Sequence, residues 1–356
     1  MGSNPADRTT DDGFLMDLVT QGILGAAVGQ AGFQHKLGRK AVLWGAIYGM
    51  VPDLDVLVKF SGNPFAEQLY HRGFTHSLFF APLIAPIVAV VMRKSYKTGD
   101  YWSWLWLIFW ALITHPLLDV FTHYGTQLLN PLSTYRFSLA AIPVVDLLYS
   151  IPLLLAVIVG LIIPKDRLAG TVTSFMLLLT TSYLFYGITC NSAAVDQARQ
   201  ELGITDRIES YPTLFQIHLR RVVVHLPGEV KIGLVSTYPG AKYPIQWFRY
   251  RDDLQNNHNF LELSDVRTYL WFCAGDCLIQ KDRHSIKLYD LRFGVPGANE
   301  PGIWGVESTD GGHHVNLFKA PLSSVYKGNV FSWAYDVMKV SFGKDPRQLL
   351  ENYHEQ

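Results

Sequence analysis

Six apolar runs dominate the first half of the chain, and His and Asp residues gather at their ends. The runs cover residues 14–33, 41–50, 78–92, 101–121, 144–163 and 168–188. A bilayer core of ~30 Å takes ~20 apolar residues as a helix, and it leaves no backbone group without an internal partner. Runs of this kind therefore fold as helices. The last three have full spanning length, whereas the second and third are short and read as partial or tilted helices within a bundle. Gly22, Gly25 and Gly29, with Ala26 and Ala27, equip the first run for close helix packing.

Ionisable groups near a bilayer core are costly unless paired or metal-bound, which makes each one a functional candidate. Here they form four clusters: Asp53 and Asp55 after Pro52; His71, Arg72 and His76; His115 and Asp119 with His123; and Asp146. Carboxylates mixed with imidazoles suit a divalent metal. His115, Asp119 and His123 are spaced i, i+4, i+8, one stripe of a helix. His71 and His76 reach one point if the chain bends at Gly73, and Pro52 lets the chain turn two carboxylates towards a common centre. Arg72 is a candidate anion clamp, since a guanidinium binds phosphate oxygens in a two-pronged contact.

Loop charge sets a direction for the bundle. Lys36, Arg39 and Lys40, then Arg93, Lys94 and Lys97, then Lys165 and Arg167 mark three short basic loops. The positive-inside rule makes these loops cytoplasmic and places the C-terminal part outside the cytoplasm. At 1.5 Å per residue, Asp53 is ~18 Å, His115 ~21 Å, Asp119 ~27 Å, and His76 and Asp146 ~26 Å from the basic ends of their segments. Separate elements thus converge on one depth near the outer interface.

The chain is long enough for two domains at 356 residues, and 30 basic against 30 acidic residues give no bulk electrostatic case for nucleic acid. Residues 1–13 read as a flexible extension, 14–190 as the membrane-embedded helical metal-binding domain, and 191–356 as a soluble α+β domain. Residues 191–202 continue as a polar helix. Short runs at 215–225, 230–237, 245–250, 269–273, 285–291 and 315–318 read as strands separated by turns. Cys273 and Cys277 pair if this domain faces an oxidising compartment, or pack as small apolar residues if it does not. No Gly-x-Ser-x-Gly elbow, Gly-rich nucleotide loop or His-Glu-x-x-His motif occurs.

At these residues the chain resembles the family of bacterial membrane-bound metal-dependent hydrolases, including its LexA-regulated inner-membrane branch. The motifs are Met16-Asp17-Leu18-Val19-Thr20-Gln21, Pro52-Asp53-Leu54-Asp55 and His71-Arg72-Gly73-Phe74-Thr75-His76-Ser77. Thr114-His115-Pro116-Leu117-Leu118-Asp119, Tyr124-Gly125-Thr126-Gln127, Val145-Asp146 and Tyr289-Asp290-Leu291-Arg292-Phe293-Gly294 extend them over nearly the whole chain. The family is distantly similar to zinc-dependent phospholipase C. The resemblance implies metal binding and hydrolysis, with a lipid phosphoester as the extrapolated substrate and Tyr124 and Gln127 near it. Gln21 stands where many relatives carry His, and His123 where close relatives carry Thr.

The resulting expectation is an α-helical inner-membrane bundle of about four to six spans with an extracytoplasmic α+β domain. One or two divalent ions, zinc by preference, are held by His71, His76, His115 and Asp119, with Asp53, Asp55 and Asp146 as ligands or orienting groups and Gln21 and His123 as possible additions. A metal-activated water attacks an ester or phosphoester of a membrane lipid, Asp55 serves as base, and Arg72 holds the anion. The alternative is a non-catalytic metal-binding membrane or envelope scaffold. A transporter fits less well, because charges would then be spread along a path through the bilayer.

Overall fold

A computed structural model describes residues 5–163, 166–204, 206–254, 257–294, 300–309, 314–319 and 330–349, with side chains described from residue 17 onward except those of 166 and 330–334. It divides into two compact units, 1–186 and 187–356.

The first unit is helical. It contains α1 (Pro5–Leu37), α2 (Lys40–Met50), a 3₁₀ helix (Pro52–Ser61), α3 (Ala66–Tyr70), a 3₁₀ turn (Phe74–His76), α4 (Phe80–Ser95), α5 (Tyr101–Val120) and α6 (Leu147–Ile162). The long helix α7 (Asp166–Leu202) begins here. Lys40–Ser61, Tyr101–Val120 and Arg167–Leu202 are long and apolar enough to cross a membrane. The pair Ala66–His76 and Phe80–Ser95, bent by 63°, makes a fourth if counted as one span. Three or four candidate spans therefore replace the six apolar runs. The run at 144–163 forms a 16-residue helix, only ~24 Å long at 1.5 Å per residue. The first run is diluted by Asp17, Gln21 and Gln30, whose side chains are buried. Helix α1 begins at Pro5 and so takes in most of the segment read as a flexible extension.

Two packing arrangements place the site. Ala81, Ala85 and Ala89 form an i, i+4, i+8 stripe on α4, buried in one core with Trp104, Leu107 and Ile108 of α5. Helices α1 and α2 approach more closely. A Cβ on Gly25 would lie 2.2 Å from the Gly45 carbonyl oxygen, and one on Gly29 2.1 Å from that of Ala41. Only glycine permits backbones at that separation.

The second unit holds two antiparallel meanders. β1 (Ile208–Pro212), β2 (Leu219–Leu226), β3 (Glu229–Ser236) and β4 (Phe248–Arg251) form one sheet in that order. β5 (Cys277–Lys281), β6 (Ile286–Asp290), β7 (Trp304–Ser308) and β8 (Asn316–Lys319) form the other. The register pairs Val223 with Ile232 in the first sheet and Leu288 with Val306 in the second. Helices α8 (His258–Leu261) and α9 (Ser264–Phe272) lie between the sheets in sequence, and α10 (Val330–Ser341) follows them. The run at 269–273, read as a strand, belongs to α9 and its C-terminal turn. Val266, Tyr269 and Phe272 are its buried residues, and a spacing of three is helical. β1, β5 and β7 were not recognised in the sequence. Cys273 and Cys277 are disulfide-bonded.

Arg221 on β2 donates to the carbonyls of Leu291 and Pro301 beside the second sheet. Burial pushes its guanidinium down to about 10 and that of Arg220, on the opposite strand face, down to about 9. Both are held chiefly by neutral acceptors (Ser210 and main-chain carbonyls).

Gly25→Val should destabilise the bundle by about 1–3 kcal/mol through overpacking of the α1–α2 contact. Gly32, on the same helix, has nothing within 4 Å of a built Cβ, so Gly32→Ala should be neutral or stabilising by up to ~1 kcal/mol. Thermal unfolding of the two detergent-solubilised variants tests the contrast, and equal melting temperatures would contradict the close approach.

Candidate metal centre

Pro52 starts the 3₁₀ helix at its first turn, where a missing N–H costs nothing. That helix buries Asp53 and Val56 and exposes Leu54 and Leu57. The sharp path through His71–His76 depends on Arg72, whose φ of 58° is left-handed. A non-glycine residue holds that conformation only when its surroundings over-determine it. The Arg72 N–H donates to Asp55 Oδ2 at 3.1 Å, its carbonyl accepts from Gln127 N at 3.0 Å, and its side chain is buried in ion pairs.

Asp53, His76 and His115 converge. One ligand atom from each lies within 4.8 Å of the other two, and all three residues are buried. Asp53 Oδ1 is 3.3 Å from Nε2 of both histidines. The two Nε2 atoms are 3.0 Å apart. A tetrahedral ion with bonds near 2.0 Å spaces its ligand atoms by roughly 3.3 Å, so the three atoms fit one face of such a site.

The opposite edges of both rings fix their tautomers. His115 Nδ1 lies 2.5 Å from the Gly49 carbonyl oxygen, which only accepts, so Nδ1 carries the hydrogen. His76 Nδ1 lies 3.1 Å from Asp55 Oδ2, and Thr75 Oγ1 donates to the same oxygen at 2.6 Å. Both Nε2 lone pairs then face the centre. Two lone pairs at that separation repel unless a cation lies between them, and both Asp53 oxygens are buried without a hydrogen bond. Charge points the same way: Asp17 and Asp119 flank the Arg72 guanidinium, while Asp53 and Asp55 face the imidazoles. The donor set fits a divalent ion.

Asp119 borders the centre. Its Oδ1 accepts from Gln21 Nε2 at 2.8 Å, and its Oδ2 lies 3.3 Å from His76 Nε2 and 3.7 Å from His115 Nε2. Gln21 thus reaches the site as a hydrogen-bond donor to a carboxylate. His71 turns its Nδ1 to Asp55 Oδ1 at 2.6 Å and packs edge-on to His76 and Tyr124, outside the convergent set. His123 is buried in the turn after α5 and is likewise outside that set.

Several roles read from the sequence become specific here. Asp55 accepts from Thr75 and the Arg72 N–H and faces Nδ1 of both His71 and His76, which is the geometry of its expected orienting role. Saturated in this way, it orients two imidazoles. Arg72 directs Nη2 to Asp17 at 2.8 Å and Nη1 to Thr122 at 2.9 Å, which commits the edge expected to grip an anion. Asp146 caps α6: its Oδ1 accepts from Leu148 N at 2.8 Å and Tyr149 N at 3.0 Å, and its Oδ2 from Tyr183 at 2.9 Å. Gln127 binds the Leu69 carbonyl and Asn130. Tyr124 lies between the guanidinium groups of Arg72 and Arg136, 4.8 and 5.4 Å from its ring centre. The Asp290–Arg292 motif of the second unit is a buried ion pair at 2.6 Å.

Asp17 also reaches the site, through Arg72. It lies one turn before Gln21, and a lone carboxylate in an apolar helix was the available signal. Thr122 and the Gly49 carbonyl carry no comparable mark, since packing alone brings them in.

A buried His/Asp centre in an apolar helical bundle defines this unit as a membrane protein with a potential metal site. Residues 16–191, just under half of the chain, match the family model described as "YdjM inner membrane protein". The chain is also similar to the inner membrane protein YbcI of Escherichia coli (strain K12), 38% identical over 95 residues, covering 26% of this chain and 54% of YbcI. It is 27% identical over 139 residues to the protein YfhP of Bacillus subtilis (strain 168), covering 37% of this chain and 42% of YfhP. The chain thus spans about half the length of these relatives. No solved structure matches it. The family and the apolar helices agree on an inner-membrane location.

Asp146→Ala should remove a helix cap and cost about 0.5–2 kcal/mol while leaving metal content unchanged. Elemental analysis beside a melting curve separates cap from ligand, and loss of metal in a normally folded variant would restore Asp146 to the site.

Proposed function

We propose that the helical unit is a membrane-embedded, metal-dependent hydrolase of an ester or phosphoester, with lipid headgroups as the substrate class and zinc as the ion. The observation that carries this reading is the convergence of Asp53, His76 and His115, with both Nε2 lone pairs and a bare carboxylate oxygen facing one point. When bound, a divalent ion supplies Lewis acidity and an activated water for hydrolysis. The chain's own groups do the rest. Gly49 and Asp55 fix the two rings, and the packed helices exclude bulk water from the buried donors.

The site lies near one end of its helices, on the 3₁₀ helix after α2 and in the last two turns of α5. That position suits a headgroup that enters sideways from a leaflet. With the basic loops cytoplasmic, the leaflet is the outer one and the second unit is periplasmic. The competing reading is a metal-binding scaffold without turnover.

Elemental analysis of the detergent-purified full chain should find stoichiometric transition metal, and Asp53→Ala or His115→Ala should lose it. Full occupancy in both variants would remove the metal assignment. Wild-type protein should release headgroups from mixed phospholipid vesicles in a chelator-sensitive manner. Bound metal without turnover would favour the scaffold.

For orientation, a reporter fused after Gln356 should be active only in its extracytoplasmic form. Activity of a cytoplasmic reporter would place the site at the inner leaflet.

A further inference from the structure

Helix α1 contributes no member of the converging triad, yet two of its side chains reach the centre. Gln21 and Asp17 are one helical turn apart and both are buried. Gln21 Nε2 donates to Asp119 Oδ1 at 2.8 Å and lies 3.3 Å from the His115 carbonyl oxygen. Asp17 Oδ2 accepts from Arg72 Nη2 at 2.8 Å. Arg72 Nη1 donates to Thr122 Oγ1 at 2.9 Å, and Thr122 passes its own hydrogen to the Asp119 carbonyl at 2.7 Å. Arg72 Nε then lies 3.3 Å from Asp119 Oδ2. Asp119 is therefore held at one oxygen, at its main chain and along the flank of the other. Its Oδ2 accepts no hydrogen bond and faces the two imidazole nitrogens.

We propose that Asp17, Gln21 and Arg72 form a clamp that presents Asp119 Oδ2 to the ion as a fourth protein donor beside Asp53, His76 and His115. The inference rests on the metal reading given under Proposed function. It makes Arg72 a positioning residue that acts through Asp119, in place of an anion clamp that touches substrate. The charges agree with this grouping. Asp17 balances Arg72, the carboxylates of Asp53 and Asp119 balance one divalent ion, and Asp55 is met by hydrogen-bond donors. A substrate-gripping Arg72 would need free forked donors, but Nη1 and Nη2 are committed to Thr122 and Asp17. Catalytic zinc sites keep one position open and sometimes expand to five-coordinate, so hydrolysis with four protein donors would require that expansion.

The test uses Zn²⁺ alone, titrated into the detergent-solubilised full chain against a chromophoric chelator. Arg72→Lys, Asp17→Asn and Gln21→Leu should each weaken Zn²⁺ affinity about 10- to 100-fold, the usual effect of losing a group that orients a ligand. Stoichiometry at saturating Zn²⁺ should not change. Asp119→Asn should weaken affinity at least as much, and adding Arg72→Lys to it should have no further effect, because the two changes remove one interaction. Melting curves of each variant identify misfolding, and Arg72→Lys and Gln21→Leu, which perturb buried charge less than Arg72→Ala, keep the test usable if Asp17→Asn fails to fold. Wild-type affinity in folded Arg72→Lys and Gln21→Leu overturns the clamp while the triad stands, as does full additivity of Arg72→Lys with Asp119→Asn. Absence of Zn²⁺ binding by the wild-type protein overturns the clamp and the metal reading together.

Discussion

A carboxylate buried among apolar helices has to be surrounded by donors, and the arrangement of residues 49–127 follows from that demand. Asp55 is the clearest instance. Its two oxygens collect donors from His71, Arg72, Thr75 and His76, all from one short segment. To wrap that segment around the carboxylate, Arg72 adopts a left-handed backbone, a conformation that costs of order 1–3 kcal/mol elsewhere. The strain is offset locally by charge-assisted hydrogen bonds, which are about twice as strong as neutral ones. The same wrapping turns His76 Nε2 inward. The contacts that satisfy Asp55 thus also orient both His71 and His76, and Asp55 organises this side of the centre.

Helix packing supplies the second half of the geometry. The α1–α2 contact is close enough that a Cβ on Gly49 would meet the Gln21 carbonyl oxygen at 2.6 Å. That proximity brings α1 side chains to Asp119, while the Gly49 carbonyl orients His115. A larger residue along the glycine stripe would therefore act at a distance, by moving Gln21 and the Gly49 carbonyl away from the groups they hold. Stability and site geometry are coupled through the backbone here, without a shared side chain.

Much of this was legible in the sequence, and what escaped has physical causes. The helical bundle and the sheet-rich second unit follow from apolar period, proline and the cost of buried charge; so does a His/Asp cluster at one depth, of whose wider expected ligand set Asp53, His76 and His115 converge. Span number did not follow, since the run around Asp146 folds as a helix shorter than a bilayer and α1 carries polar residues that only burial explains. Roles were harder than positions. Asp55 and Asp53 are two residues apart and look alike in sequence; one is saturated by four donors and the other has none of hydrogen-bond geometry. The Tyr269–Cys273 run has strand-forming residue types, but the side it buries repeats every three residues, and that periodicity decides its helical fold.

Polar groups elsewhere in the bundle bear on the choice between enzyme and transporter. Gln30 Oε1 accepts from Thr173 at 2.6 Å, its Nε2 donates to the Val157 carbonyl at 3.1 Å, and Thr20 pairs with Ser150 at 2.9 Å. These are neutral pairs between helices, of the kind that add about 0.6 kcal/mol each to helix association. The Gln30 contacts stand nine residues along α1 from Gln21, or ~14 Å at 1.5 Å per residue, whereas the Thr20–Ser150 pair lies beside it. An ion crossing the bundle would need donors along that length whose partners can change as it passes. Gln30 instead has both ends of its amide occupied by fixed neighbours, and a Cβ on Gly160 would collide with it at 2.5 Å. Along α1 the charged centre therefore gives way to a tightly packed neutral region, which offers no series of exchangeable donors among the described residues.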